Sequence, residues 1–357
     1  MTPRFHTLNV ARVDRETADA VCLTFAIPPE LADHYRFEPG QHLGLRVRLS
    51  GEEMRRSYSI CSAPHDNELR IAIKKVAGGR FSAWAVDSLR AGAAIDVLTP
   101  EGRFHTPLDR ANAKHYVAFA AGSGITPILS LAKTILAREP RSSFTLVYGN
   151  RRQASVMFHE TLEDLKDRYL ARFVLYNVFS REMQEIDLFN GRIDGAKVRT
   201  FLETLIPVET IDEAFVCGPA SMIDEVEQAL LASGVPPGHV HVERFGTPAV
   251  NGEAPVVQSA DDAADARITL AVDGVQREVD FLRAHGSILE AGIAAGLDLP
   301  YSCKGGMCCT CRARLVEGEV RMHKNFALEQ ADVEAGYVLT CQSYPLTERV
   351  VLSFDER

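Results

Sequence analysis

Three cysteines lie close together near the end of the sequence, and a fourth follows after a gap. Cys303, Cys308 and Cys311 are spaced C-x4-C-x2-C, and Cys341 completes the set. A 2Fe-2S cluster needs four thiolates, two on each iron, and this spacing suits one. A structural zinc site prefers two cysteine pairs with short gaps inside each pair. The spacing therefore predicts a 2Fe-2S cluster, with a zinc site and plain core cysteines as the alternatives.

The loop between the first two of these cysteines contains two adjacent glycines. We expect Gly305 and Gly306 to let the loop fold tightly around the cluster, where a residue with a Cβ would be strained. Backbone N–H groups of such a loop can also hydrogen-bond the sulfurs. Cys309 does not fit this spacing. We therefore interpret it as a bystander that does not bind the cluster and that occupies a position for a small residue.

A second set of polar and aromatic residues occurs near the start of the chain. Arg56, Tyr58 and Ser59 alternate along a predicted strand and offer a cation, an aromatic face and a hydroxyl, which suit a flavin and its pyrophosphate. Further along, a glycine before a predicted helix exposes backbone N–H groups to an anion. This second segment comprises Lys74, Gly79, Arg80, Phe81 and Ser82. Both segments predict a flavin site, and the alternatives are a solvated strand rim and an ordinary capped turn.

The middle of the chain contains a glycine-rich turn between a predicted strand and a predicted helix. Such a turn lets a phosphate approach the backbone at a helix N-terminus. Its residues are Gly122, Ser123, Gly124, Ile125, Thr126 and Pro127. A later predicted strand ends in Cys217, Gly218 and Pro219, and we expect both segments at one edge of the sheet. They predict a nicotinamide nucleotide site, whereas Cys217 taken alone would be a small buried core residue.

Three patterns of secondary structure position these residues in a multidomain chain of β, α/β and α+β parts. Residues 1–107 contain short strand-like runs, one of them at 57–61, and one helical stretch, which predicts an antiparallel β-barrel. Residues 108–245 alternate buried-strand runs with helical stretches, which predicts a doubly wound parallel sheet. Residues 246–265 are acidic and rich in small residues, and are interpreted as a linker or a packed surface loop. Residues 266–357 hold the cluster motif.

Bulk composition excludes several classes of protein. A chain of 357 residues predicts two or three domains, and 46% hydrophobic residues are typical of a globular protein. A net charge of −9 gives no support to nucleic-acid binding. The most apolar stretch, 116–137, is interrupted by glycines, a proline and a lysine, so we expect no membrane span. With no targeting segment and with scattered cysteines, the expected location is the cytoplasm.

The cluster segment and its flanks resemble plant-type ferredoxin domains. The resemblance covers about residues 266–357 and rests on the cysteine loop, on 288–292 and 299–302 before it and on 336–341 after it. It implies a β-grasp fold for this part of the chain.

The first two parts of the chain together resemble the ferredoxin–NADP reductase family. The resemblance is carried by residues 56–59 (RSYS), 121–127 (AGSGITP) and 216–219 (VCGP). It implies that FAD lies in the barrel against the residues named above. It also implies that the two later motifs hold the nicotinamide of NADPH or NADH.

The same resemblance implies roles for individual residues. Tyr58 and Ser59 would line the flavin, with Cys217 near the reacting nicotinamide ring. Ser180 and Arg181 resemble the pair that binds the 2′-phosphate of NADPH, since serine offers a hydroxyl and arginine a bidentate contact. NADH users of the family also carry Ser-Arg, so NADH remains an alternative.

Two further residues have two interpretations each. Phe245 either shields the flavin or belongs to the core, and Arg151 either assists phosphate binding or is a solvated loop residue.

The three predicted sites form one electron path. NAD(P)H gives up two electrons together, a 2Fe-2S cluster accepts one at a time, and a flavin can do both. The order of domains resembles the reductase subunits of bacterial phenylacetyl-CoA epoxidases, in 148–151, 190–195 and 241–245 as well. That resemblance implies a di-iron oxygenase as the electron acceptor. The alternatives are a reductase for a Rieske-type or another oxygenase, a non-catalytic electron-transfer subunit and a zinc-stabilised binding protein.

Overall fold

Four sheets follow one another along the chain. This computed structural model describes residues 4–245, 259, 262–263 and 265–356. Within that part of the chain there is one six-stranded sheet, then two five-stranded sheets and a two-stranded one. The predicted linker at 246–265 lies almost entirely outside the described residues.

The first sheet is antiparallel and closes into a barrel. Its elements are β1 (Phe5–Thr17), β2 (Ala20–Ala26), β3 (His42–Leu49), β4 (Glu52–Ser59), β5 (Leu69–Lys74), helix α1 (Arg80–Asp87) and β6 (Ala94–Leu98). The strand order is β4-β3-β6-β1-β2-β5, and a bridge between Ile60 and Ile71 joins the two ends. This confirms the antiparallel barrel predicted from the sequence.

Strand β4 begins earlier than its sequence pattern predicts. The pattern indicates a strand at 57–61, but pairing with β3 starts at Glu52. Ser50 and Gly51 have φ of 52° and 83°, which is the left-handed geometry of a two-residue hairpin turn. The turn therefore forces five charged or large residues of low strand preference into the ladder.

The second sheet is parallel and covered by helices on both faces. Its elements are β7 (His115–Ala121), α2 (Ile125–Arg138), β8 (Ser143–Asn150), α3 (His159–Arg168), β9 (Phe173–Phe179), α4 (Gly195–Thr204), β10 (Glu213–Gly218), α5 (Ala220–Ala232) and β11 (Val240–Arg244). The strand order is β11-β10-β7-β8-β9. Helices α2 and α3 share a core with the barrel, whereas α4 and α5 pack on the other face. This is the doubly wound α/β domain that the sequence predicts.

The third sheet, which is also five-stranded, is mixed and belongs to the part of the chain that carries the cluster motif. Its part of the chain contains β12 (Asp265–Val272), β13 (Val275–Leu282), α6 (Ile288–Ala294), β14 (Arg312–Glu317), β15 (Val320–Met322), α7 (Gln330–Glu334), β16 (Tyr337–Leu339), β17 (Ser343–Pro345) and β18 (Arg349–Ser353). The order is β13-β12-β18-β14-β16, and α6 packs on the sheet in a separate core. A mixed sheet covered by one main helix is the predicted β-grasp arrangement, called the ferredoxin domain below.

Candidate electron-transfer site

A cavity opens between the barrel and the α/β domain. Most of the residues predicted from the sequence to hold a flavin line it. They are Arg56, Tyr58, Ser59, Lys74, Gly79, Arg80, Phe81, Ser82 and Phe245. Ser123 and Thr126 of the glycine-rich turn line it as well. Strand β4 and the start of α1 thus face the turn across one space.

The walls of this cavity differ in character. The rings of Tyr58 and Phe81 pack 5.6 Å apart, and Phe245 also lines the space. The Arg56 guanidinium is half-buried, and burial lowers its pKa. Aromatic surface beside a partly desolvated cation suits a flat ring that carries a phosphate tail.

The start of α1 supplies a second anion-binding feature to the cavity. Gly79 is the N-cap residue and brings no side chain to cap the first turn. A Cβ at Gly79 would lie 2.7 Å from the Ser82 hydroxyl oxygen, which already accepts a hydrogen bond from the N–H of Val76 at 3.0 Å. The first-turn N–H groups and the positive end of the helix therefore suit a phosphate.

The two predicted nucleotide motifs meet at one edge of the parallel sheet. Strands β7 and β10 pair so that Ala120 lies opposite Cys217. A Cβ on Gly124 would lie only 2.1 Å from the carbonyl oxygen of Cys217, so a glycine is required there. Gly122 has φ of 54°, and its carbonyl accepts a hydrogen bond from the Tyr148 hydroxyl at 2.9 Å. Tight backbone contact thus joins the two motifs.

Cys217 lies fully buried behind the cavity and is not among its lining residues. Burial raises the pKa of its thiol well above the ordinary value, so it is a neutral thiol. The predicted residues Ile125, Pro127, Gly218 and Pro219 also lie outside the cavity lining. Ile125 and Pro127 lie in the first turn of α2, whereas Gly218 ends β10 and Pro219 follows it.

Ser180 and Arg181 lie away from this cavity, after the edge strand β9. The backbone N–H groups of Ser180 and Arg181 donate to the carbonyls of Asn150 and Arg151, each at 2.9 Å. Arg151, Arg152 and Arg181 are all exposed. The ends of β8 and β9 therefore present three cations and a hydroxyl to solvent.

The four cluster cysteines are buried and form two pairs. The sulfurs of Cys303 and Cys308 lie 3.1 Å apart, and the thiols of Cys311 and Cys341 are hydrogen-bonded to each other. In the described part of the chain, no group of three or more His, Cys, Asp or Glu side chains surrounds a single ion position. Two thiols per iron is the arrangement of a 2Fe-2S cluster. The residues present therefore fit that group.

The backbone of the cluster loop adopts a conformation that the sequence only partly predicts. Gly306 has φ of 75°, and a Cβ there would lie 2.9 Å from the carbonyl oxygen of Lys324. Gly305 has no positive φ; Lys304 takes the left-handed conformation instead, at 53°. The N–H of Gly305 donates to the sulfur of Cys303 at 3.3 Å. Gly305 therefore contributes a backbone N–H that donates to the Cys303 sulfur. Only at Gly306 does the backbone angle require a glycine.

Cys309 takes no part in either pair. Its thiol donates to the carbonyl of Ala327 at 3.1 Å. This contact agrees with its interpretation as a bystander.

A second, smaller cavity lies between the flavin-type cavity and the cluster loop. It shares Arg56, Ser57, Ser59 and Phe245 with the larger cavity. Its other lining residues are His42, Glu243, Arg244, Cys303, Met307 and Cys308. One pair of cluster cysteines thus borders the same space as the predicted flavin residues.

Two titratable residues in this second cavity were missed as site residues by sequence reasoning. Glu243 accepts a hydrogen bond from the Ser59 hydroxyl at 3.3 Å, and burial raises the pKa of its carboxyl to about 8. Among the described residues the buried Nε2 of His42 has no hydrogen-bond partner, and burial lowers the pKa of His42 to about 4. Neither residue gives a signal of its own, because β11 (Val240–Arg244) and β3 (His42–Leu49) both alternate apolar with polar residues.

Three protein families match successive parts of the chain. The oxidoreductase FAD-binding domain matches residues 7–106, and the oxidoreductase NAD-binding domain matches residues 119–228. The 2Fe-2S iron-sulfur cluster binding domain matches residues 270–346.

Relatives of the whole chain carry the same three parts. One component of the 1,2-phenylacetyl-CoA epoxidase of Escherichia coli (strain K12) is 46% identical over 353 residues, covering 99% of this chain and 98% of the relative. The ferredoxin reductase component of 3-ketosteroid-9-alpha-monooxygenase from Rhodococcus rhodochrous is 34% identical, covering 97% and 96%. The chain belongs to the family of oxygenase reductase components.

The solved structure of phthalate dioxygenase reductase has the same arrangement of parts as this oxygenase reductase. It is 26% identical with a TM-score of 0.59, and the match covers 98% of each chain. The reductase is therefore an NAD(P)H oxidoreductase that uses FAD and a 2Fe-2S cluster, which confirms the predicted fold class, enzyme class and cofactors. None of the helices in the described residues is long and apolar enough to cross a bilayer.

Proposed function

We propose that this reductase carries electrons from NADPH to the oxygenase component of a phenylacetyl-CoA epoxidase. The observation that supports this acceptor is the 46% identity to the epoxidase component over nearly the full length of both chains. The proposal extends to a di-iron centre in the acceptor and to a cytoplasmic location. The absence of disulfides among the described cysteines accords with a reducing compartment.

The barrel and the helix α1 supply the proposed flavin site. Tyr58 and Phe245 line this cavity and would pack against the ring, and Arg56 with the first turn of α1 would hold the pyrophosphate. FAD supplies the conversion of a two-electron donor into single-electron steps when it is bound. We expect the domain boundaries at 107, 245 and 265 to separate the barrel, the α/β domain and the ferredoxin domain.

Ser59 and Glu243 are proposed to hold a proton near the ring edge. The pKa of about 8 keeps the Glu243 carboxyl protonated at neutral pH, and the Ser59 hydroxyl contacts it. Cys217, opposite Glu243 on the neighbouring strand, adds a neutral thiol. The site therefore places no fixed negative charge beside the reacting rings.

The glycine-rich turn and the arginines at the sheet edge supply the proposed nucleotide site. Ser123 and Thr126 face the flavin-type cavity, so the nicotinamide would enter there. Ser180 and Arg181, with Arg151 beside them, would bind the 2′-phosphate of NADPH. The overall reaction consumes one NAD(P)H and two oxidised clusters, and yields NAD(P)⁺, one proton and two singly reduced clusters.

The experiment is an anaerobic titration of the cofactor-loaded chain with NADPH and with NADH, followed by absorbance and EPR. We expect NADPH to bleach the flavin and then reduce the cluster. The reduced chain should then support turnover by phenylacetyl-CoA epoxidase oxygenase subunits. Turnover only with a 3-ketosteroid monooxygenase would overturn the proposed acceptor, and a cluster that stays oxidised would overturn the electron path.

A further inference from the structure

Arg55 lies at the boundary between the barrel and the ferredoxin domain, on strand β4. Its side chain is only 6% exposed. A buried guanidinium is unfavourable unless charged and hydrogen-bonded partners compensate it. The identity of those partners therefore indicates what the residue holds.

The partners of Arg55 come from both domains. Within the barrel, its Nε donates to the carboxylate of Glu53 at 2.9 Å. Across the boundary, its Nη2 donates to Asp298 Oδ1 at 3.1 Å and its Nη1 to the carbonyl of Leu299 at 3.4 Å. The guanidinium carbon also lies 4.0 Å from the ring centroid of Tyr301. The guanidinium of Arg55 therefore donates several hydrogen bonds and also stacks on the Tyr301 ring. A lysine ammonium could not make both kinds of contact.

The segment held by Arg55 leads directly into the first cluster ligand. Residues 298–302 immediately precede Cys303. Ser57, two residues after Arg55 on β4, donates its hydroxyl to Ser302 at 2.7 Å. A Cβ on Gly44 of the paired strand would lie 3.2 Å from the same Ser302 hydroxyl. Strands β3 and β4 therefore hold the segment closely along its length.

The same strand carries the residues of the flavin-type cavity. Arg56, Tyr58 and Ser59 line that cavity, and Arg55 and Ser57 reach the cluster segment. One short strand thus contacts both cofactor sites. Movement of the segment relative to β4 would change the separation between the two cofactors.

We propose that Arg55 is a positioning residue that sets the distance for electron transfer between the flavin and the cluster. The inference rests on the electron path of the proposed function. Each transfer moves one electron from the reduced flavin to the oxidised cluster, and two transfers use the pair from one NAD(P)H. Because the rate of such a transfer falls steeply with distance, loss of Arg55 slows this step and leaves flavin reduction by the nucleotide unchanged.

The first test is anaerobic stopped-flow absorbance on the cofactor-loaded full chain, mixed with excess NADPH. In Arg55→Met we expect the flavin phase to match the unmodified chain and the cluster phase to slow at least tenfold. Arg48→Met, an exposed arginine of the neighbouring strand β3, is the matched control and leaves both phases unchanged. Equal cluster phases in Arg55→Met and the unmodified chain overturn the proposal, as does a parallel loss of both phases.

The second test approaches the contact from the ferredoxin side, where folding is not at risk. Asp298 is 71% exposed, so Asp298→Asn removes the charge with little effect on the core. We expect it to slow only the cluster phase, by a smaller factor than Arg55→Met. The control is Asp280→Asn, at an aspartate that is 82% exposed on β13. A cluster phase that is the same in Asp298→Asn and Asp280→Asn contradicts the proposal.

A third measurement does not depend on electron transfer. Hydrogen–deuterium exchange of the full chain should be faster at residues 298–303 in Arg55→Met than in Arg48→Met. Unchanged exchange at residues 298–303 contradicts the proposal that Arg55 holds this segment in place. If the proposed function itself fails, the cluster of the unmodified chain stays oxidised with NADPH, whereas failure of this inference leaves that cluster reducible at the normal rate in Arg55→Met.

Discussion

The cluster thiols act as pairs. Cys303 and Cys308 face the smaller cavity, and their contact lowers the pKa of the Cys303 thiol. Cys311 and Cys341 lie together on short turns. Each pair has the ligands for one iron, so the loss of any single thiol leaves one iron with an incomplete set.

Substitution of one ligand tests this pairing. Cys303→Ser should abolish the cluster absorbance and EPR signal, since serine is a poor ligand for this cluster. NAD(P)H-to-ferricyanide activity should stay within about twofold, because the flavin supplies that reaction. Cys309→Ser is the control and should retain the cluster. Loss of both signals in a folded Cys303→Ser chain would argue against separate cofactor sites.

Arg181 is the residue expected to select the nucleotide. Arg181→Ala should raise the KM for NADPH about tenfold or more, because a charge-assisted hydrogen bond to phosphate contributes roughly 1.5–3 kcal/mol. The KM for NADH should change little. Steady-state ferricyanide reduction with each nucleotide measures this, with the exposed Arg168→Ala on α3 as the control. Equal increases for both nucleotides would rule out the proposed preference.

His42 predicts a pH dependence of stability. Burial lowers its pKa to about 4, so the unfolded chain binds a proton between pH 4 and about 6.5 that the folded chain does not. The contribution of His42 to stability is therefore complete above about pH 6.5 and falls by about 1.4 kcal/mol per pH unit between about pH 6.5 and pH 4.

Thermal unfolding between pH 5 and 7.5 measures this dependence. His42→Gln should make the decrease of Tm toward acid shallower, even where the substitution lowers Tm overall. His34→Gln, at an exposed histidine, should leave the pH slope unchanged. Parallel pH profiles for His42→Gln and the unmodified chain would show that His42 does not control the slope.

At the scale of elements, the junction of β7, β10 and α2 forms the proposed nucleotide-binding edge. The glycine-rich turn packs directly on the end of β10, and the two paired strands fix the approach. Backbone packs on backbone there, so side-chain rearrangement cannot relieve a clash.

Gly124→Ala tests this junction. The added Cβ would lie 2.1 Å from the carbonyl oxygen of Cys217, so we expect a loss of about 1–3 kcal/mol in stability and weaker nucleotide binding. Chemical denaturation and nucleotide titration measure the two effects. Gly238→Ala is the control, because no atom of any described residue beyond its two chain neighbours lies within 4 Å of the added Cβ. A Gly124→Ala chain with unchanged stability would mean that the junction is looser than the structure indicates.

At the scale of the whole molecule, the chain brings the three proposed cofactor sites to one region. Two cavities with shared lining residues connect the nucleotide turn, the flavin residues and two cluster cysteines. Ion pairs across the domain boundary, Arg55 to Asp298 and Arg103 to Asp332, support this arrangement. The cluster domain is therefore docked at the flavin side of the barrel.

A shortened chain that ends at residue 245 tests which part of the protein carries each reaction. We expect it to reduce ferricyanide with NAD(P)H, because the barrel and the α/β domain share a core of their own. It should fail to support an oxygenase, because the cluster is missing. Coupled oxygenase turnover and flavin absorbance measure the two activities. Oxygenase turnover by the shortened chain would contradict the proposed exit through the cluster.

Much of the site could be predicted from the sequence because local chemistry carries the signal. Three motifs each consist of residues that are close together in the sequence and can be recognised there. They are the cysteine spacing, the glycine-rich turn and the strand with Arg56 and Tyr58. The meeting of the turn with Cys217 was also predictable, since parallel strands end at one edge. The pattern failed at β4, where a hairpin turn overrides weak strand preference, and at Lys304, which takes a backbone angle expected of a glycine.

The amino-acid sequence by itself determined the three modules, their cofactors and the chemical order in which electrons pass, because these depend on residue types at short spacings. Only the tertiary structure decided where the cluster lies relative to the flavin, and it drew Glu243, His42 and Arg55 into the site. Residues distant in sequence come together there, since Arg55 meets Asp298 across 243 positions. The burial that perturbs Glu243 and His42 comes from packing of whole domains, and no local pattern encodes it.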